Sequence, residues 1–275
     1  MKDTSVLLAA PALFVGAALG VPLVAILISS FAAHDAGGLT FFNYERILFE
    51  PYHWVVLWTT MRISLFTTLT SLLLGYPLAY FLIRIVPYDK VKRLCLILVI
   101  LPLFTSNIIR SFAWMVILGR VGIVNTALVD SSVLEKPFRF LGSELGIIIG
   151  LTHILLPIVV LNIANALSKV DPVLEQASSD LGAGPLTTFR LVTFPQTLPS
   201  VISGAVTVFA LAISAYVTPA LLSGGKISVF PMLIFQQYSS VLDFHYGGAL
   251  GIVLLVVTVG LITLATAAAK PGEKN

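Results

Sequence analysis

Glu175-Gln-Ala-Ser-Ser-Asp-Leu-Gly182, with Phe194-Pro195 and Leu198-Pro199 following it, is a polar interruption between two long apolar runs, Leu145–Leu167 and Thr197–Leu221. It reads as a short helix-turn-helix. Asp171 can accept a backbone N–H as N-cap, and Pro172 fits the first helical position. Glu175 then falls in the first turn, where a carboxylate meets the positive helix end. Leu174, Ala177, Ser178 and Leu181 share one small-to-apolar face at helical spacing. Gly182-Ala-Gly184-Pro185 ends that helix and opens a second, expected over Pro185–Phe194 and stopping before Pro195.

The flanking apolar runs decide the class. The chain has 275 residues, of which 57% are hydrophobic and 11% charged, and its mean hydropathy is +1.00. A soluble domain of that length needs more charge to cover its surface. Six runs approach or exceed the roughly 20 apolar residues that cross a hydrocarbon core: Val6–Phe31, Met61–Ile83, Leu94–Ala113, Leu145–Leu167, Thr197–Leu221 and Gly248–Ala269. The expected fold is all-α, a polytopic membrane protein of six transmembrane helices in a single domain over 1–275. Lipid leaves backbone groups no partner outside the helix, and a barrel strand would alternate rather than run apolar throughout.

Six spans put both termini on one side. The compartments on that side hold nine basic residues: Lys2, Arg84, Lys90, Lys92, Arg93, Lys169, Arg190, Lys270 and Lys274. The other side holds five: Arg46, Arg120, Lys136, Arg139 and Lys226. Basic loops stay in the cytoplasm, so both termini and the segment 171–195 are expected there. Val6–Phe31 reads as a retained span because it is longer than a signal-peptide core, although Ala32 and Ala33 leave cleavage open. Outside, His34–Tyr52 carries interfacial aromatics, Trp114–Ser143 reads as a short helix and a turn at Lys136-Pro137, and Val229–Val241 reads as a flat or re-entrant helix. The single cysteine, Cys95, excludes an internal disulfide and has no metal-ligating neighbour in sequence.

Polar residues inside spans are costly and therefore informative. Arg110 is the one basic residue well within a span, beside Thr105, Ser106 and Asn107. It either lines a solute path with them or forms a structural pair between helices. Tyr216 and Thr218 can face the same path from the end of the fifth run. Arg62, near the outer end of its run, can snorkel. Pro77, Pro102, Pro157 and Pro219 interrupt spans, and His153 reads as a packed histidine. No Asp or Glu lies well inside any run.

An interfacial helix resting on lipid is usually rich in Lys and Arg. The segment 171–195 offers only Arg190, against Asp171, Glu175 and Asp180, so a protein partner is the better occupant. Glu175–Gly182 with Phe194-Pro195 resembles the EAA loop of ATP-binding-cassette importer permeases, with Gln176 in place of the first alanine. The likeness extends over Leu74–Phe81, Pro102–Arg110 and Gly150–Pro157 towards the spermidine/putrescine permease-like group. It implies a type I importer permease core of the MetI-like kind, resident in a bacterial cytoplasmic (inner) membrane. It makes Glu175, Ala177, Asp180, Leu181, Gly182 and Pro195 the residues that couple to an ATPase, and Thr105, Asn107, Arg110, Tyr216 and Thr218 the pathway. It implies as partners a second, non-identical permease, two ATPase subunits and a periplasmic or lipid-anchored binding protein, with lipid around and no nucleic acid. The chain has no Gly-x-x-x-x-Gly-Lys-[Ser/Thr] loop, so ATP and Mg would be bound by the ATPase and no cofactor or metal by this chain. The solute implied is a polyamine or a related amine or opine. The competing class, an ion-coupled secondary transporter, should show intramembrane carboxylates, inverted repeats or paired broken helices.

Overall fold

The computed structural model describes residues 2–32 and 38–269. His34 and Asp35 of the first outer loop, and Lys270 and Lys274 of the charge count, lie outside the described residues. The described residues are helical throughout, apart from loops and one isolated bridge between Ala32 and Leu39. They sort into two compact groups, one of Met1–Leu57 with Phe230–Gly260 and one of Trp58–Val229 with Leu261–Asn275.

In the first group, α1 (Lys2–Ser30) is followed by α2 (Phe42–Phe49) and the start of α3 (Pro51–Tyr80). The Asn43 amide donates to the Ser30 carbonyl at 3.0 Å, and the Ser30 and Tyr44 hydroxyls share a 2.6 Å hydrogen bond. His53 is buried and bonds the Tyr246 hydroxyl through Nε2 at 2.7 Å, while the Arg46 guanidinium lies 4.4 Å from the Tyr246 ring centre. Apolar side chains such as Leu13, Phe14 and Val24 on α1 are exposed, as expected of a span whose solvent is lipid.

The second group is built around α7 (Glu144–Lys169). Of its 26 residues 13 are buried, which identifies it as the axis of the bundle. Ser143 caps its start by accepting from the Gly146 N–H at 3.3 Å. α3 meets it at Thr70 and Gly75 and carries a run of small buried hydroxyl residues, Thr60, Ser64, Thr67, Thr68 and Ser71. Small side chains let two helices approach where lipid supplies no hydrophobic drive. The Thr70 and Thr152 hydroxyls bond across that seam at 2.8 Å. At Gly75 the approach is closest: a Cβ there would lie 2.7 Å from Cγ1 of Val159. Arg62 pairs with Glu144 at the start of α7.

Two expected spans are corrected. Leu94–Ala113 is not one helix. α4 (Asp89–Ile100) tightens into a 3-10 turn, Leu101–Phe104, and α5 (Asn107–Ile117) leaves at 101°. Pro102 has no N–H to continue the ladder, Thr105 and Ser106 are extended, and the Ser106 hydroxyl accepts from Ile108 N to start the new helix. Thr197–Leu221 is displaced as well. The span runs over Pro185–Ile213 and breaks at 214–216, and α11 (Val217–Leu222) follows after α6 (Ile123–Asp130), α8 (Pro172–Asp180), α9 (Pro185–Thr188) and α10 (Phe194–Ile213) in chain order. Pro219 lies in the first turn of α11, where a missing N–H leaves no bond unmade. The chain closes through α12 (Phe230–Gln236), within the expected 229–241 helix, and α13 (Phe244–Ala269).

The segment after α5 is held by a residue that composition does not flag. Asn125 on α6 is 1% exposed, donates to Gly119 O at 2.8 Å and Phe138 O at 3.0 Å, and accepts from Phe138 N at 2.8 Å. Asn125→Leu leaves the buried Phe138 N–H without a partner, at about 1–3 kcal/mol where water cannot replace it, and takes a second donor from the Gly119 and Phe138 carbonyls, which keep their bonds from Gly122 and Phe140. The thermal unfolding midpoint of the purified protein should fall by several degrees; an unchanged midpoint would contradict the clamp.

Candidate functional site

The polar segment after α7 forms as its capping residues dictate. Val170 and Asp171 are extended, as the residue before a proline prefers. The Asp171 carboxylate accepts from Val173 N at 2.9 Å, and Pro172 opens α8. Gly182 ends it at φ +83°, with its N–H on the Ser179 carbonyl at 2.9 Å. Only the far side departs from expectation. α9 does not stop before Pro195 but passes through a π-helical turn, Phe189–Thr193, into α10. The wider turn closes with the Phe194 N–H on the Phe189 carbonyl, one residue before Pro195, which has no N–H to give.

The two faces of this loop have opposite characters. Leu174, Ala177, Asp180 and Leu181 face outward, and so do Val173 and Leu186. Leu181 is 90% exposed. Ser178 turns inward instead and bonds the Thr188 hydroxyl at 3.0 Å. Glu175 also turns inward: its Oε1 accepts from Thr193 Oγ1 at 2.8 Å and pairs with Arg84 Nη2 at 3.1 Å. Arg84 lies in a second π-helical turn, Phe81–Ile85, that ends α3, and the same Nη2 reaches the Val170 carbonyl at 3.1 Å. Beneath them Tyr76, Tyr80, Phe189 and Phe194 pack edge-on or tilted, with ring centres 5.5 to 6.0 Å apart, and the Tyr76 hydroxyl bonds Thr197 at 2.9 Å. Arg84 and Thr193 lie in no motif, and Tyr76 falls within the Leu74–Phe81 likeness without a role of its own there; the basic cluster from Arg84 to Arg93 speaks only to topology.

The expected pathway residues gather at the two helix breaks. α5 and α11 lie together, joined by a 3.0 Å bond between the Ser111 and Thr218 hydroxyls. Thr218 is 3% exposed, so it packs the two short helices and does not present itself to a path. Thr105 and Asn107 are exposed, Tyr216 is half-buried, and Arg110 bonds the Asn107 side-chain oxygen. The Nε and Nη1 of Arg110 are buried and make no hydrogen bond. His153 packs against Trp114 with ring centres 5.4 Å apart, as a packed histidine should.

Two cavities frame these sites. One of about 570 Å³, walled by Trp58, Leu65, Phe66, Val206, Phe209 and Ile262, is apolar and offers a polar solute almost nothing to replace water. The other, about 400 Å³ and on the side opposite the polar loop, is ringed by the exposed cations Arg120, Arg139 and Lys226. Three of the five basic residues expected on the outer side therefore share one recess.

No protein-family model matches the chain. Over 247 residues it is 34% identical to the spermidine/putrescine transport system permease protein PotB of Haemophilus influenzae, covering 88% of this chain and 85% of that one. The fold is that of a bacterial ABC transporter involved in the import of the acidic polysaccharide alginate, with a TM-score of 0.79, 17% identity, and 99% and 96% of the two chains covered. The same alginate transporter in complex with a pentasaccharide-bound periplasmic protein matches at 0.77, again at 17% identity, over 98% and 95% of the chains.

Proposed function

The chain belongs to the PotB family of permease subunits of ATP-binding-cassette importers, and on that premise we propose that its cytoplasmic loop 171–195 docks a separate ATPase while its helix breaks border the path of a small organic amine. The carrying observation is the outward face of α8 and the turn after it: an apolar tip, Leu181 at 90% exposure, on a polar stem. Such a tip buries area only in another protein's groove. Val173, Leu174 and Leu186 flank it, with Ala177 and Asp180 alongside, and Gly182 and Pro195 shape the loop. ATP and Mg belong to that partner.

A polyamine such as spermidine or putrescine is the solute that the PotB likeness favours, with related amines and opines next. Thr105, Asn107, Arg110 and Tyr216 border the path, Thr218 bracing it from behind. Because no Asp or Glu lies inside a span among the described residues, carboxylates for a polycation must come from a second permease. A periplasmic or lipid-anchored binding protein meets the outer loops, where the recess of Arg120, Arg139 and Lys226 suits an acidic edge. The charge bias of the loops supports cytoplasmic termini in a bacterial inner membrane. Paired broken spans also occur in ion-coupled carriers, but the importer relatives and the lack of intramembrane acids among described residues weigh against that class.

The test is purification of the tagged chain with the ATPase expressed beside it. Wild type should hold the ATPase, and Leu181→Asp should release it, since an apolar anchor lost from an interface costs about 2–4 kcal/mol, or thirty- to several-hundredfold in affinity. Retention of the ATPase by Leu181→Asp, with labelled spermidine still taken up, would sink the docking surface.

A further inference from the structure

We propose that Arg84 is a positioning residue of the coupling step: it ties the docking helix α8 to the span Pro51–Ile85, to which the chain does not connect it. The inference rests on the docking reading above and adds to it the route by which a displacement of α8 enters the membrane. Covalently, α8 is joined to α7 through Val170–Asp171 and to Pro185–Ile213 through Gly182–Gly184. No backbone leads from it to α3. Arg84 supplies that link, with Nη2 3.1 Å from Glu175 Oε1 and 3.1 Å from the Val170 carbonyl.

The geometry sets this pair apart from an ordinary surface ion pair. The Arg84 and Glu175 side chains are 15% and 21% exposed, so salt and water screen them weakly. The same carboxylate oxygen takes the Thr193 hydroxyl at 2.8 Å, and Thr193 is buried. One oxygen therefore gathers the end of α3, the first turn of α8 and the π turn leading to α10, and the guanidinium adds the end of α7. A charge kept only to hold a loop in the cytoplasm would stand in water. Both non-α turns of the neighbourhood, Phe81–Ile85 and Phe189–Thr193, abut this link, and each carries one of its side chains. π turns recur where a helix must present a side chain that regular winding would turn away.

On this reading Glu175, the most prominent residue of the loop, grips the inside of the permease and leaves docking to Leu181 and its neighbours. Breaking the link leaves the ATPase bound and hydrolysing, while its stroke reaches α7 and α10 without α3. The signature is uncoupling, which a residue that merely stabilised the fold would not produce.

The experiment uses the whole importer, with its ATPase and binding protein, in liposomes. It measures bound ATPase, ATP hydrolysed and labelled spermidine taken up for wild type, Arg84→Gln, Glu175→Gln, the double variant and Arg84→Lys. Expected for Arg84→Gln is full ATPase binding with at least a tenfold loss of uptake per ATP. Arg84→Lys, which keeps a charged donor, should retain more. The double variant should be no worse than the worse single one, because both remove one interaction. A normal ratio of uptake to hydrolysis in Arg84→Gln overturns the proposal, as does additive loss in the double variant. Release of the ATPase by Arg84→Gln also overturns it, by making Arg84 a docking residue. If wild type itself holds no ATPase, the docking reading fails instead. Should Arg84→Gln not accumulate, Thr193→Val removes one neutral bond to the same carboxylate; a two- to fivefold loss of the ratio supports the link and no loss overturns it.

Discussion

Membranes carrying Gly75→Leu should hold a tenth or less of the permease found with the natural sequence. Gly75 faces α7 at its tightest approach, and a Cβ would stand 2.7 Å from Cγ1 and 3.1 Å from Cβ of Val159. Val159 is itself fully buried and branched at Cβ, which stiffens its rotamer, and the added Cβ would also lie 3.5 Å from Leu156 Cδ1. The helices must part, which strips contact from the Leu155–Ile163 stretch of the core and breaks the Thr70–Thr152 bond. Overpacking by one side chain ordinarily costs about 1–3 kcal/mol. Here four added carbons meet an interface between the two helices that define the bundle, and the upper end or beyond applies. Gly251→Leu is the matched control, since nothing lies within 4 Å of its added Cβ. Immunoblots of membranes read the result; equal amounts of both variants would show that the α3–α7 seam tolerates expansion.

Gly182→Pro should abolish uptake and leave the amount of permease in the membrane unchanged. The residue sits at φ +83°, which the proline ring cannot adopt, and its N–H closes the turn on Ser179 at 2.9 Å. Nothing lies within 4 Å of a Cβ there, so the injury is confined to backbone direction. α8 would leave the turn misdirected, carrying Leu181 away from any groove that fits it. Gly182→Asn separates direction from glycine itself, because asparagine tolerates a left-handed φ at a cost of about 1 kcal/mol. It should keep most of the uptake. Transport by Gly182→Pro at a normal rate would mean that the loop's shape does not matter to coupling.

How much of this was legible before folding depends on the range over which each signal acts. The cap at Asp171, the start at Pro172 and the left-handed Gly182 are decided within four residues, and the structure has them where the sequence puts them. The apolar runs mark membrane helices because composition alone separates lipid from water. Hydropathy does not see direction, however. Leu94–Ala113 stays apolar through Pro102 and Thr105, so the 101° bend is invisible to a window that averages over it. Pro195 misled in the opposite sense: a proline rule predicts a stop, and a π turn one step earlier lets the helix continue. The roles of Arg84, Thr193 and Asn125 are long-range facts. The resemblance makes Glu175 one of the residues that couple to an ATPase, yet its own ion-pair partner stands 91 positions earlier in the chain, a pairing that no local pattern encodes.

The continuity of Pro185–Ile213 has a mechanical meaning. At one end of α8 is a two-residue extended joint, Val170–Asp171; at the other is a rod of 29 residues that starts within a few residues of Gly182. At 1.5 Å per residue that rod is about 43 Å long. Tilting it by about 5° at its Pro185 end carries Ile213, at its tip, sideways by about 4 Å, more than the width of a water molecule. The tip adjoins the break at 214–216, beside the short helices α5 and α11. A small push near the foot thus arrives as an ångström-scale displacement where the span is interrupted, so the arrangement amplifies distance at the expense of force.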